Sequence, residues 1–205
     1  AGISAIVVDE NGQRIFNTLG DIAVPSPWPS MSRGFWNDPE RWSETYKSKW
    51  PGLYLHGDRA IEFDDGSWEM PGRSDDLLKI GGKRIGPGEF ESLAIEVPGV
   101  LNAAAVGVPD PIKGESVVML IILDPDSNLS GGEVEKNVKS RIESALGKPF
   151  RPSRVAAIDE IPLTRSGKVH RRALRSWIKG VPPGDLSNLL NPDSEASIRR
   201  LFGSK

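Results

Sequence analysis

Two patterns place this chain in the α+β class. Residues 1–73 carry short strand-like runs broken by turn signals, and from Ser74 onward helical and strand periodicities alternate. The balance of 38% hydrophobic and 26% charged residues over 205 positions is that of a globular protein with enough chain to bury a core.

The first run, Ala1-Gly-Ile-Ser-Ala-Ile-Val-Val8, reads as a strand, with Asn11-Gly12 as a hairpin turn behind it. A chain that starts inside a strand without methionine is expected to be a piece of a longer protein. Further turns fall at Pro25-Ser26-Pro27 and Asp64-Asp65-Gly66. Asn37 or Asp38 ahead of Pro39 predicts a helix start, and the neighbouring aromatics, Phe35, Trp36 and Trp42, are expected in core and interface packing. Beyond Ser74, Phe90, Leu93, Ala94 and Val97 stand at i, i+3, i+4 and i+7, one face of a helix. Residues 103–108 and 116–123 read as buried strands. Ser130-x-x-Glu133 is a capping-box signature for a helix with Val134, Val138, Ile142 and Ala145 inward. A third short strand is predicted over 154–158 and a helix over 169–178. The tail, 181–205, is expected to end in a short polar helix. This order predicts helices packed on a short sheet.

Composition removes several functions. A net charge of −2 argues against bulk nucleic-acid or membrane binding, which needs a large positive excess. There is no cysteine, so disulfides and thiolate metal sites are excluded. His56 and His170 are far apart in sequence, which argues against protein-held zinc. No apolar run has the length of a membrane span, and no charged segment precedes an apolar one as in a signal peptide, so the default expectation is a cytoplasmic protein.

Four motifs carry candidate chemistry. Tyr54-Leu-His-Gly-Asp58 ends a strand with a carboxylate able to accept two hydrogen bonds from a ribose diol; alone it is a turn aspartate. Gly72-Arg73-Ser-Asp75-Asp76 sets an arginine suited to phosphate or ribose contact before two acids; alone it is an exposed charged turn. Ile80-Gly-Gly-Lys-Arg-Ile-Gly-Pro-Gly-Glu89 supplies four glycines, with Gly81, Gly82 and Arg84 where backbone can approach a ligand; alone it is a hairpin leading into a helix. Last, Pro162-Leu-Thr-Arg-Ser-Gly-Lys168-Val-His-Arg-Arg172 places a lysine at a glycine-softened tip among arginines, suited to a phosphate or a carboxylate under attack; alone it is a basic surface loop. A phosphate-binding P-loop is excluded, because Pro162 stands where its first glycine would fall and Val169 where its magnesium-binding Ser or Thr belongs.

Together and in this order the motifs resemble the C-terminal third of the adenylate-forming enzymes: the acyl-CoA synthetases, luciferases and peptide-synthetase adenylation units. The resemblance covers almost the whole chain. It is strongest to the AMP-forming acetyl-CoA and propionyl-CoA synthetases, on Gly34-x-x-x-Asp38-Pro-Glu-Arg41 with Tyr46, on Pro109-Asp-Pro-Ile-Lys-Gly-Glu115 and on Gly184-Asp-Leu-Ser187. The chain departs from that branch at Lys79, Gly81 and Lys83, where Asn, Ser and His are usual, at Arg59 for glycine and at Leu163 for lysine. Lys79 is more like the medium-chain and luciferase-type members.

The resemblance implies that residues 1–73 end a large N-terminal domain as part of its distorted β-barrel, and that residues 74–205 are a mobile C-terminal domain hinged at Asp75. It implies acid activation with ATP to an acyl-adenylate, then transfer to CoA with release of AMP. Lys168 would bridge the acid oxygen and the α-phosphate; Asp58 would hold the ribose hydroxyls, and Arg73 the ribose or phosphate. After rotation Gly81, Gly82 and Arg84 would face the CoA channel. The Mg2+ site, the phosphate loop and the acyl pocket would belong to the missing N-terminal domain, leaving this chain inactive alone. An acetyltransferase and a deacetylase acting on Lys168 are further implied partners. The alternatives are a medium-chain or aryl acyl-CoA ligase, a peptide-synthetase-type adenylation unit, and, in a different class, a small protein-interaction module.

Overall fold

In the computed structural model, which describes residues 2–203, the chain divides between Asp75 and Asp76 into two units, each with its own sheet. The first holds four antiparallel strands in sequential order: β1 (Ile6–Val8), β2 (Gly20–Val24), β3 (Tyr54–Glu62) and β4 (Trp68–Arg73). The predicted opening strand starts only at Ile6, and Ala1 lies outside the described residues. Asp9 builds the turn behind it, accepting from the N–H groups of Asn11 and Gln13, both at 2.9 Å. The sheet is open, with register shifts in the β2–β3 and β3–β4 pairings, and no barrel closes among the described residues. Its core is small: Val7, Ile22 and Ala60 in one cluster, Val8, Ala23 and Trp50 in the other.

Helix α1 (Pro39–Tyr46) begins where the sequence predicts, with Asp38 accepting from the Arg41 N–H at 3.2 Å. It buries no residue, which corrects the expectation of core aromatics. Trp36 is 91% exposed, and Phe35, Trp42, Tyr46 and Tyr54 instead pack on one another near the surface, with Tyr46 and Tyr54 stacked at 4.7 Å. Eight residues of mostly polar sequence offer no continuous apolar stripe, so the rings find their partners locally.

The second unit is built around β7 (Val100–Asp110) and β8 (Gly114–Leu123), an antiparallel pair in register over almost their full length. The other edge of β8 is shared. Near its start it meets β5 (Leu78–Ile80), which forms a hairpin with β6 (Lys83–Ile85), and further along it meets β9 (Arg154–Ala157) in parallel. Ala103, Ala105, Val117, Met119 and Ile121 face one core; Ala104, Val106, Val118 and Leu120 face another. Strands buried on both faces read as unbroken apolar runs, as these do.

The first core is covered by α2 (Pro87–Ile95) and α3 (Gly131–Leu146), the second by α4 (Arg171–Ile178) and α5 (Ser194–Phe202). The arrangement is therefore three-layered, with the sheet between two pairs of helices. Around α3 the capping box forms as predicted, but the inward stripe closes on Leu146 rather than the exposed Ala145, because i+4 from Ile142 keeps the stripe on one face. Val97 is buried although α2 has ended at Ile95. The polar tail helix turns Ile198 fully inward, and its expected end at Ser204 and Lys205 lies outside the described residues. No helix among the described residues is long and apolar enough to cross a membrane.

Candidate functional site

In the first unit Asp58 and Arg73 are direct cross-strand partners on β3 and β4. The Asp58 carboxylate, 25% exposed, lies 3.2 Å from His56 Nδ1. Arg73 Nε donates to Asp75 Oδ1 at 2.8 Å, with both side chains largely in solvent. Gly57, at φ +94°, precedes Asp58, and its carbonyl accepts from the Ser74 N–H at 3.0 Å, folding the end of β4 back on the strand that carries the carboxylate. Asp58, Arg73 and Asp75 are thus gathered at one end of a strand pair. A solvent-facing carboxylate opposite a guanidinium can accept from hydroxyl groups and donate to phosphate or ribose oxygens. Arg59, one of the departures from the resembled enzymes, turns inward and donates to the carbonyl of Leu19 at 2.9 Å, a packing role.

In the second unit Gly81 and Gly82 are the two residues that join β5 to β6, at φ +56° and +80°. Two positive φ values in a two-residue loop define a type I′ turn, which demands residues such as glycine. The turn therefore needs glycine on its own account. A Cβ built at either position meets nothing within 4 Å, so the tip is open on its outer side. Lys79 and Arg84 are cross-strand partners behind the tip, and with Lys83 they make it basic. The hairpin is held from below by the β7–β8 turn. The Lys113 carbonyl accepts from the Gly81 N–H at 3.0 Å, and Glu115 accepts from the Lys79 N–H at 2.7 Å. Asp110 ties that turn by accepting from the N–H groups of Lys113 and Ile112, which hold its carboxyl below the usual aspartate range. The 109–115 segment, noticed in sequence only as a family likeness, is thus the buttress of the glycine hairpin.

Lys168 closes a second tight turn. Thr164 N–H donates to the Lys168 carbonyl at 2.7 Å, the Thr164 carbonyl accepts from the Gly167 N–H at 2.8 Å, and the Thr164 hydroxyl accepts from the Lys168 N–H at 3.1 Å. Gly167, at φ +79°, supplies the left-handed step such a three-residue loop requires. The Lys168 side chain is exposed. The arginines behind it are not all available to a ligand, as the sequence suggested. Arg171 donates to both oxygens of Glu91 at 2.6 Å, so its charge is already matched. His170, which caps α4, entered the sequence reading only as an imidazole without a zinc partner, and Asn188 and Asn191 in the tail were not singled out; the Asn188–His170 and Asn191–Glu160 contacts span 18 and 31 residues and leave no local pattern.

Residues 89–168 match the AMP-binding enzyme C-terminal domain family. Over 202 residues the chain is 40% identical to an acetyl-coenzyme A synthetase of Methanothrix thermoacetophila, covering 96% of this chain and 30% of the relative. The chain thus spans under a third of the length of that curated relative. Among solved structures, ATP-bound MatB from Rhodopseudomonas palustris is 29% identical with a TM-score of 0.72, covering 85% of this chain and 34% of that one. Acetoacetyl-CoA synthetase from Streptomyces lividans, at 23% identity, shares the fold with a TM-score of 0.81 over 98% of this chain and 30% of that one.

Proposed function

We propose that the chain, whose residues 89–168 match the AMP-binding enzyme C-terminal domain family, is the C-terminal part of an AMP-forming ligase that joins a short carboxylic acid, acetate or propionate, to CoA. The name of its 40% identical relative supports that substrate class. In the first half-reaction the carboxylate oxygen attacks the α-phosphorus of ATP and pyrophosphate leaves. In the second the CoA sulfur attacks the acyl carbon and AMP leaves.

The observation that carries this reading is the presentation of Lys168. Its backbone is locked by two hydrogen bonds to Thr164, and the preceding Gly167 by a third, while its ammonium makes no hydrogen bond or ion pair with any described residue. A fixed cation with an open coordination shell is suited to charge that develops between a carboxylate and an α-phosphate. Asp58 would accept from the ribose hydroxyls and Arg73 would contact ribose or phosphate. Asp75 would be the hinge about which residues 76–205 turn between the two half-reactions. Gly81 and Gly82 would then line the path of the CoA arm, with Arg84 on a phosphate. No group of three His, Asp or Glu side chains able to hold a metal occurs among the described residues, and Mg2+ would be held by the domain that the longer relatives carry. ATP, CoA and the acyl pocket would be completed by the domain that the longer relatives carry. The exposed Lys168 ammonium would also be open to an acetyltransferase and a deacetylase. The test is ATP–pyrophosphate exchange in the full-length enzyme with Lys168→Ala: the reading requires that exchange collapse.

A further inference from the structure

The tail behind α4 runs back along the hairpin that bears Lys168 and bonds to its outer edge. The Leu163 carbonyl accepts from the Leu190 N–H at 2.8 Å, and the Asn188 carbonyl accepts from the Arg165 N–H at 2.9 Å, with Thr164 and Leu189 paired between them. On the inner edge the same hairpin pairs Leu163 with Val169. Residues 188–191 therefore act as the third strand of a small sheet whose middle strand leads into the lysine turn.

Two asparagine side chains reinforce that strap. Asn191 Oδ1 accepts from the Leu163 N–H at 2.9 Å, and its Nδ2 donates to the Ile161 carbonyl at 2.9 Å and to Glu160 at 3.0 Å. Asn188 reaches both sides of the lysine. Its carbonyl holds Arg165, three residues before Lys168. Its side-chain oxygen lies 3.0 Å from Nε2 of His170, two residues after it. His170 is buried and caps α4, its Nδ1 accepting from the Ala173 N–H at 3.3 Å. For Nδ1 to accept, the ring proton must sit on Nε2 and point at Asn188. Asn188 thus selects the tautomer that caps α4 while pinning the far arm of the loop.

We propose that Asn188, with Asn191 behind it, is a positioning residue for Lys168, and that the 188–191 strap is what holds the lysine turn in register. The long lysine side chain has three rotatable donors and no partner among the described residues, so the placement of its ammonium depends on its backbone. Truncating Asn188 leaves the backbone bonds of the strap to Leu163 and Arg165 in place and removes the side-chain contact that fixes His170 and with it the far arm of the turn. The proposal rests on the role assigned to Lys168.

Limited tryptic digestion of the full-length enzyme reports on the loop directly, because Arg165 and Lys168 are both cleavage sites. In Asn188→Ala, cleavage after Arg165 and Lys168 is expected to speed up at least about tenfold relative to sites in α3. ATP–pyrophosphate exchange should fall about tenfold to a hundredfold in kcat with little change in KM for ATP, as expected when a reacting group is misplaced rather than removed. Thioester formation from supplied acyl-adenylate should stay at the wild-type rate. Asn188→Asp keeps an oxygen acceptor for His170 and should recover most of the lost exchange. Asn188 is exposed, so its truncation leaves no buried cavity. Wild-type tryptic resistance together with exchange within about twofold of wild type, when Lys168→Ala has collapsed it, overturns the positioning role and leaves the activity intact. If Lys168→Ala itself leaves exchange unchanged, the activity reading falls, and this proposal falls with it.

Discussion

Glu91 and Arg171 join the two helical layers of the second unit around the edge of its sheet. Glu91, on α2, accepts two bonds from Arg171 of α4 at 2.6 Å and a third, at 2.9 Å, from the Ala105 N–H on the outer edge of β7. The Arg171 and Glu91 side chains are 18% and 15% exposed, and Arg171 stands three residues after Lys168. One carboxylate thus satisfies an edge-strand donor, neutralises an arginine and ties the lysine-bearing layer to the layer that continues from the glycine hairpin.

The costs of removing the two partners of this pair should not add. Glu91→Ala strands a shielded guanidinium and an unpaired backbone donor, an expected loss of about 3 kcal/mol. Arg171→Ala strands the carboxylate in turn. The double variant should be more stable than the two losses added together. Urea denaturation of the four proteins measures this; strict additivity would show that the two groups do not interact.

Lys168→Ala removes a single placed charge, so exchange should drop about 10²–10³-fold, the loss typical of one such donor. Acetylation of the amine removes the same charge and should match it. Thioester formation from supplied acyl-adenylate should continue in both forms. Exchange within about threefold of wild type would reduce the loop to a basic surface.

The glycine turn allows backbone geometry to be separated from ligand access. Gly82→Asn tolerates positive φ and should keep the I′ turn, whereas Gly82→Leu is strained there and also fills the open side of the tip. If CoA passes this tip, Leu should suppress thioester formation while sparing pyrophosphate exchange, and Asn should keep most of both. Equal loss of both activities in Gly82→Leu, with a lowered Tm, would mean that the glycines serve the turn alone.

The capping box of α3 gives a pH-dependent stability with a defined sign. Hydrogen bonds from the Ser130 hydroxyl and N–H, in that order of weight, hold the Glu133 carboxyl below the usual glutamate range. A depressed folded-state pKa stabilises the protein above the ordinary glutamate value, and that contribution is lost as pH falls through the depressed one. Ser130→Ala should therefore lower Tm most at neutral pH, and the gap should narrow on acidification. A gap that widens as pH falls contradicts the assignment.

Much of the fold was legible because it is written in short-range periodicity. The buried runs of β7 and β8, the Ser130–Glu133 box and the Asp38 cap each depend on residues within a few positions of one another, and local sterics and hydrogen bonding decide them. The four ordered motifs likewise named the residues of the candidate site. Periodicity could not show that helices cover both faces of the sheet, because an apolar run is compatible with either one covered face or two. It took the partition of alternate β7 and β8 side chains into two cores to decide that. The aromatics around α1 looked like core by type, yet burial depends on what packs against a side chain, and Trp36 has nothing over it.

The sequence by itself determined the caps of α1 and α3 and the buried runs of β7 and β8, which turns carry glycine, and which lysine and carboxylates are candidates for chemistry. Only the tertiary structure decided what holds them. Glu91 and Arg171 are 80 residues apart and Asn188 and His170 are 18 apart. A hydrogen bond between residues so separated exists only once the chain has closed the loop between them, and its loop-closure cost is borne by the whole core rather than by any local pattern.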